Sequence, residues 1–338
     1  MVRSGTRSEV SGDGAMITFL VRRSLLLIPT LIGISLISFF LMQLAPGGPV
    51  DQLTDMNPHV TAEAKERIRK DMGFDRPIGV QYASWVKHMV LLDFGKSFTD
   101  GRPVIEKIAE RLPATLLLNI LALTVMFLLA LPIGWLSALR ANTLFDKMMT
   151  VFVFIGFSMP TYALALVLMI IFGLKLGWLP ISGLYSLNFV EVPLWERIWD
   201  GARHLVLPVM VLGLTDLASL SRYTRSSLLE VIHQDYIRAA QAKGLSFWRV
   251  YGIHAVRNAL LPILTLLGLM LPELIGGGVI IETIFAYPGM GRLGYDAIMA
   301  RDYNLIMAIT VISALLTVLG NFLADVLYSY ADPRIRYK

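Results

Sequence analysis

The sequence predicts an all-α integral membrane protein: six transmembrane helices, with a helical extracytoplasmic loop between the first two. Three observations lead there. Hydrophobic residues make up 55% of the 338-residue chain and charged residues only 16%, where soluble domains carry about 25% charged residues. Mean hydropathy is +0.63. Six separate stretches stay apolar over roughly 20 residues, the length a helix needs to cross a bilayer core.

Those stretches cover residues 24–44, 115–139, 148–173, 205–220, 259–286 and 305–328. The fourth is short and carries Asp216. Pro29, Pro132, Pro160, Pro208, Pro262 and Pro272 fall inside or at the ends of spans. A packed bundle tolerates them, because neighbours satisfy the carbonyls they free. The first stretch is longer than a signal-peptide core and lacks a small-residue cleavage site after it, so it reads as a span. Residues 1–15, MVRSGTRSEVSGDGA, read as a disordered polar tail before a membrane domain over 16–338, with Met16 an alternative start.

Orientation follows from the basic residues. Fifteen Lys and Arg lie on the side of the termini, among them Arg22, Arg23, Arg140, Arg222, Arg225, Arg249 and Arg334. The two short loops opposite carry five: Lys175, Arg197, Arg203, Arg292 and Arg301. Both termini are therefore expected in the cytoplasm. The loop over 45–111 exceeds the length at which the rule holds, and its ten cations are left out of the count.

That loop has helical signals of its own. Thr61 is placed to cap a helix through AEAKERIRKDM, with Gly73 as its stop. Ile78, Tyr82, Trp85, Val86 and Met89 recur at helical spacing, and Ile105, Ile108, Ala109 and Leu112 lead into the second span. The loop is either a cap packed on the membrane face or a docking surface. It also holds VLLDFGKSFT, whose Gly95-Lys96-Ser97 imitates the end of a P-loop. A P-loop needs a glycine five residues before Gly95, and Val90 stands there. No kinase-type catalytic loop accompanies Asp93-Phe94-Gly95. The stretch is read as a turn.

The cytoplasmic loop over 221–258 is long for a connection between spans. Asp235 is placed to cap a short helix over 236–243, with Gly244 ending it in a left-handed conformation. Ser246 is placed to cap a second helix, with Phe247, Val250, Tyr251 and His254 on one face. Ala239 and Ala240 add little bulk. Such a helix either sits in a partner's groove or belongs to an ordinary helical hairpin.

This loop resembles the EAA loop of permease subunits in bacterial ABC importers: Glu-Ala-Ala, three residues, then glycine. Ala239-Ala240 and Gly244 keep the spacing. Arg238 stands where the glutamate would be, and Leu261-Pro262 falls later than in the general pattern. Both departures are similar to the dipeptide/oligopeptide branch (DppB/OppB-like), as is the wording DYIRAAQAKGLS. So are ERLPATL (110–116), LGWLPISG (176–183), ETIFAYPGMGRLGYDAI (282–298), RDY (301–303) and DPRIR (332–336). The resemblance runs from Met16 over nearly the whole chain.

The resemblance implies the type I ABC importer permease fold in a bacterial cytoplasmic (inner) membrane. It implies a second homologous permease subunit, an extracytoplasmic substrate-binding protein that delivers peptide, and two cytoplasmic ATPase subunits that bind ATP and Mg. The chain itself would carry no catalytic residue and no cofactor. The coupling helix would fall on Asp235, Arg238, Ala239, Ala240, Gly244 and Leu245. Related permeases carry nickel complexes, glutathione or opines, so those substrates stay open.

Carboxylates within the spans complete the reading. A mid-helix charge costs ~3 kcal/mol or more and must face a cavity or a partner. Glu273 lies near the middle of the fifth span and Glu282 nearer its outer end. Glu273 is a candidate for meeting a peptide's ammonium group, or else a structural hydrogen-bonded carboxylate. Asp216 and Asp325 are expected near the cytoplasmic interface, with Arg222 and Arg225 in range of Asp216. Gly276-Gly277-Gly278 permits close packing or a bend around the pathway. Two other classes fit the sequence less well. A proton-coupled secondary transporter would show internal repeats, and none is evident. A membrane hydrolase needs a nucleophile–base or metal constellation, and the chain has no cysteine and five scattered histidines. Nucleic acid is not an expected partner, since orientation explains the net charge of +5.

Overall fold

The apolar stretches fold as helices, several longer than a bilayer requires. The computed structural model describes residues 12–44, 63, 66, 67, 70, 75–186, 192–270 and 273–331. Helix α1 (Gly12–Leu44) starts inside the expected tail and passes through Pro29 unbroken. In the outer loop, Glu63, Glu66, Arg67 and Lys70 are helical, while Thr61 and Gly73 lie outside the described residues. Helix α2 (Ile78–Val90) follows the predicted periodicity. The third helical signal is no separate element, because α3 (Val104–Leu139) runs straight from the loop through the second span.

The remaining helices are more interrupted than expected. The third span is divided by Pro160 into α4 (Leu144–Ser158) and α5 (Thr161–Leu168), which continues as a π-helical stretch, Met169–Lys175. The fourth becomes α6 (Leu194–Thr215) and α7 (Leu217–Ile232), bent by 47°. Helix α8 (Asp235–Ala242) lies in the loop over 221–258 that was expected on the cytoplasmic side. A π-helical turn, Trp248–Ala255, leads into α9 (Val256–Met270), followed by α10 (Glu273–Gly276) and α11 (Val279–Ile284), so the fifth span is divided too. Helices α12 (Met290–Met299) and α13 (Tyr303–Ala331) complete the chain.

Where six spans are expected, two of the described helices are long and apolar enough to cross a membrane: α3 and Tyr303–Ala324 of α13. The bent α6–α7 pair makes a third. Most prolines do not cause the breaks. Pro113 and Pro132 lie inside α3, Pro208 inside α6 and Pro262 inside α9. The breaks after α6 and α10 fall at Asp216 and at Gly277, whose φ of 68° is the left-handed region that favours glycine.

Helix α3 is the hub, packed along α7 and α6 and touching α4, α10, α12 and α13. Within a bilayer, close van der Waals contact rather than the hydrophobic effect holds helices together. Gly134 makes that contact possible: a Cβ there would lie 2.6 Å from the Ser221 carbonyl oxygen. Along α3 sit one cluster with Leu118, Leu207, Phe285 and Tyr287, a middle one with Met126, Ala130, Leu217 and Ile263, and one beside α8 with Leu228, Ile237, Val250 and Ala259. Leu25, Ile28 and Ile32 of α1 and Trp195 and Trp199 of α6 point outward, as suits lipid contact and a membrane-interface belt.

Candidate coupling and translocation site

The candidate coupling residues come together on α8 and the turn that ends it. The helix begins at Asp235, so Gln234, in extended conformation, is its N-cap and Asp235 occupies the first helical position. Its carboxylate favours the positive helix end and lies 3.6 Å from the Arg238 guanidinium. Ile237 alone of this helix is fully buried, and Ala240 and Leu245 pack beside it. Asp235, Tyr236, Arg238, Ala239 and Lys243 are exposed. The two alanines therefore differ in exposure, Ala239 facing outward and Ala240 partly inward. Gly244 ends the helix at φ 74°, and the Gly244 amide donates to the Gln241 carbonyl (2.9 Å).

The following segment differs from expectation. It is a π-helical turn, in which positions five apart align. Val250 and Ala255 are the buried pair, while Phe247, Trp248 and His254 are exposed. Phe247 and Tyr251 do meet, with ring centroids 4.8 Å apart.

Glu282 is far from this helix. Its neighbour Thr115 and the α8-side residue Ala138 are separated on α3 by ~35 Å of helix. Glu282 is fully buried. Its Oε1 accepts from the Thr115 hydroxyl (2.9 Å) and its Oε2 from the Arg292 amide (2.9 Å). Thr115 in turn accepts from the Met290 amide at 2.7 Å. A Cβ on Gly289 would lie 2.4 Å from the carboxylate, and one on Gly277 would lie 2.7 Å from the Gly291 amide nitrogen. Glu282, expected on the pathway, takes part in a clamp joining α3, α11 and α12, with Gly277 in its wall. Tyr287 extends the clamp by donating to the Ala114 carbonyl (2.8 Å). Glu273 opens α10; its side chain, like that of Asp325, lies outside the described residues.

Asp216 closes α6. The helix around it packs against Ala122 and Met126, about half-way along the apolar part of α3. The two arginines expected beside it are engaged elsewhere. Arg225 donates from Nε and Nη2 to Asp146 at 2.9 and 2.8 Å. The Arg222 guanidinium sits 4.6 Å from the centroid of the Phe154 ring. Arg225 holds the Asp146 carboxyl below the usual carboxylate range, and the Asn142 amide adds to the effect. Sequence reading missed this pair, because Asp146 lies 79 positions from its partner.

The outer turn also carries structure that the sequence concealed. Gly95 and Gly101 are both left-handed, and Lys96 bridges Pro103. Ser97, Thr99 and the Leu305 amide all donate to buried Asp302. Asn304 donates to the Lys96 carbonyl (2.9 Å). The false P-loop is a plug on the N-terminus of α13.

Two family models match this chain. The binding-protein-dependent transport system inner membrane component covers residues 130–337. Its companion N-terminal model covers 16–119. The chain belongs to this family. Among curated relatives of this inner-membrane family, the oligopeptide transport system permease protein AppB of Bacillus subtilis is 44% identical over 323 residues, 95% of this chain and 100% of that protein. The di/tripeptide transport system permease protein DppB of Pseudomonas aeruginosa is 39% identical over 339 residues, 96% of this chain and all of that protein. Among solved structures, a chain of the inward-facing MetNI methionine ABC transporter superposes with a TM-score of 0.52 at 19% identity, covering 68% of this chain and 97% of that one. The fold is that of a type I ABC importer permease.

Proposed function

We propose that this protein is the peptide-translocating permease subunit of an ATP-driven importer. It pairs with a second, homologous permease, receives di- or oligopeptide from an extracytoplasmic binding protein, and is driven by two cytoplasmic subunits that bind ATP and Mg. Both termini lie in the cytoplasm, and six spans cross the membrane. The observation that carries the coupling role is α8, an exposed short helix tethered through Ile237 and ended by left-handed Gly244. Its outward residues Asp235, Arg238 and Ala239 enter the ATPase groove, and inward Ala240 and Leu245 pass the movement to α7 and α9. The peptide substrate is supported by the full-length similarity to peptide permeases.

The test is reconstitution of the complete transporter in proteoliposomes. ATP-driven uptake of labelled di- and tripeptides is expected, above that of nickel complexes, glutathione or opines. Ala239→Glu should abolish uptake while the four-subunit complex still inserts. Uptake at the parental rate in Ala239→Glu would overturn the coupling assignment. Uptake of a non-peptide solute alone would overturn the substrate.

A further inference from the structure

Asp216 is an intramembrane carboxylate that neither the α8 helix nor the outer clamp uses. It stands where α6 ends and α7 begins, with φ −98° and ψ −3°. Its side chain is accessible, and among the described residues no hydrogen bond or ion pair engages it. It lines a cavity of about 190 Å³ bounded by Asn119 and Met126 of α3, Leu212 of α6, Met270 of α9, Leu274 of α10 and the broken backbone at Gly277. Two helix interruptions, at Asp216 and at Gly277, thus converge on one carboxylate about half-way along the apolar part of α3. Apart from Asn119 and Asp216 the lining side chains are apolar and include two methionines, whose unbranched side chains adapt to differing shapes. An ionisable residue at this depth marks a pathway or a partner charge, and the two nearest arginines in sequence are already engaged.

We propose that this cavity is a station for the α-ammonium group of the translocated peptide, with Asp216 as its counter-ion and Met126, Leu212 and Met270 accommodating the adjoining side chain. The inference deepens the peptide-permease reading and rests on it. It gives the cation-binding role, for which Glu273 was one candidate in the sequence, to a carboxylate that faces a cavity.

The chain contains no cysteine, so Leu212→Cys places a single thiol in this subunit on the cavity wall and leaves Asp216 intact. In the reconstituted transporter, built with cysteine-free partner subunits, cationic aminoethyl-methanethiosulfonate should label that thiol at least about tenfold faster than the anionic sulfonatoethyl reagent. The preference should vanish when Asp216→Asn is added, and excess dialanine should slow the cationic reagent. Equal rates for the two reagents, or no labelling by either, would overturn the proposal, because the carboxylate would then be neutralised or covered by a partner subunit. In parallel, Asp216→Asn should lower dialanine uptake about tenfold, with Asp216→Glu retaining most of it. Unchanged uptake in Asp216→Asn would also overturn it. The labelling is independent of transport, so a parental complex that moves no peptide would defeat the peptide reading separately.

Discussion

Ser97 donates its hydroxyl to Asp302 from 205 positions earlier in the chain, and both side chains are buried. The contact ties the outer loop to the first turn of α13. Lys107 reaches the same Ser97 oxygen at 3.0 Å and Asp100 at 2.8 Å, so the loop is held by a chain of charged and hydroxyl groups. Asp302 also accepts from the Leu305 amide and so caps α13. Asp302→Ala removes the acceptor for Ser97, Thr99 and that amide together. The expected cost is about 2–3 kcal/mol, typical of orphaning buried donors to a charged acceptor. It should appear as a lower melting temperature in detergent and faster proteolysis between Lys96 and Lys107. Melting and cleavage at parental values would refute the anchor.

The Glu282 clamp predicts non-additivity. Gly289 has φ −103°, which alanine adopts freely, so the obstacle to Gly289→Ala is the carboxylate 2.4 Å from the new methyl. The expected loss is about 1–3 kcal/mol. In a Glu282→Ala background the obstacle is gone and the same change should cost much less. A double-mutant cycle in thermal stability measures the difference; simple additivity would mean that the two positions do not meet.

The approach of α3 to α7 at Gly134 is a second steric case. Gly134→Leu must displace the Ser221 carbonyl and the Thr224 side chain, both 2.6 Å from an added Cβ. A loss of about 1–3 kcal/mol is expected, with Gly134→Ala giving a smaller loss of the same sign. Differential scanning of the purified complex tests the ordering.

Acid should weaken the join between α4 and α7. Asp146 has its folded pKa lowered by the Arg225 hydrogen bonds. Its contribution is therefore complete above the ordinary aspartate value of about 3.9 and is lost as pH falls through the lower folded value. The melting temperature of the parental protein should exceed that of Asp146→Asn at pH 6, and the gap should close below about pH 4. A gap that stays constant down to pH 3 would show that the charge on Asp146 is immaterial.

Much of this was legible in one dimension. The apolar stretches became helices because every backbone group in a bilayer must be satisfied internally. The helix over Ile78–Val90 and the left-handed end at Gly244 followed from periodicity and glycine chemistry. The burial of Val250 with Ala255 was hidden because a π-turn shifts the buried face. The breaks at Asp216 and Gly277 were hidden because the apolar pattern runs on through them.

Local pattern and composition thus set the class of molecule, its helical character and the place of α8, since each depends on residues within a few turns of one another. Which carboxylate serves which purpose depends on contacts between distant segments. Glu282 and Asp216 look alike in sequence, each an acid in an apolar stretch. Glu282 meets Thr115, 167 positions away, and becomes a buried clamp. Asp216 meets no donor among the described residues and is left facing a cavity.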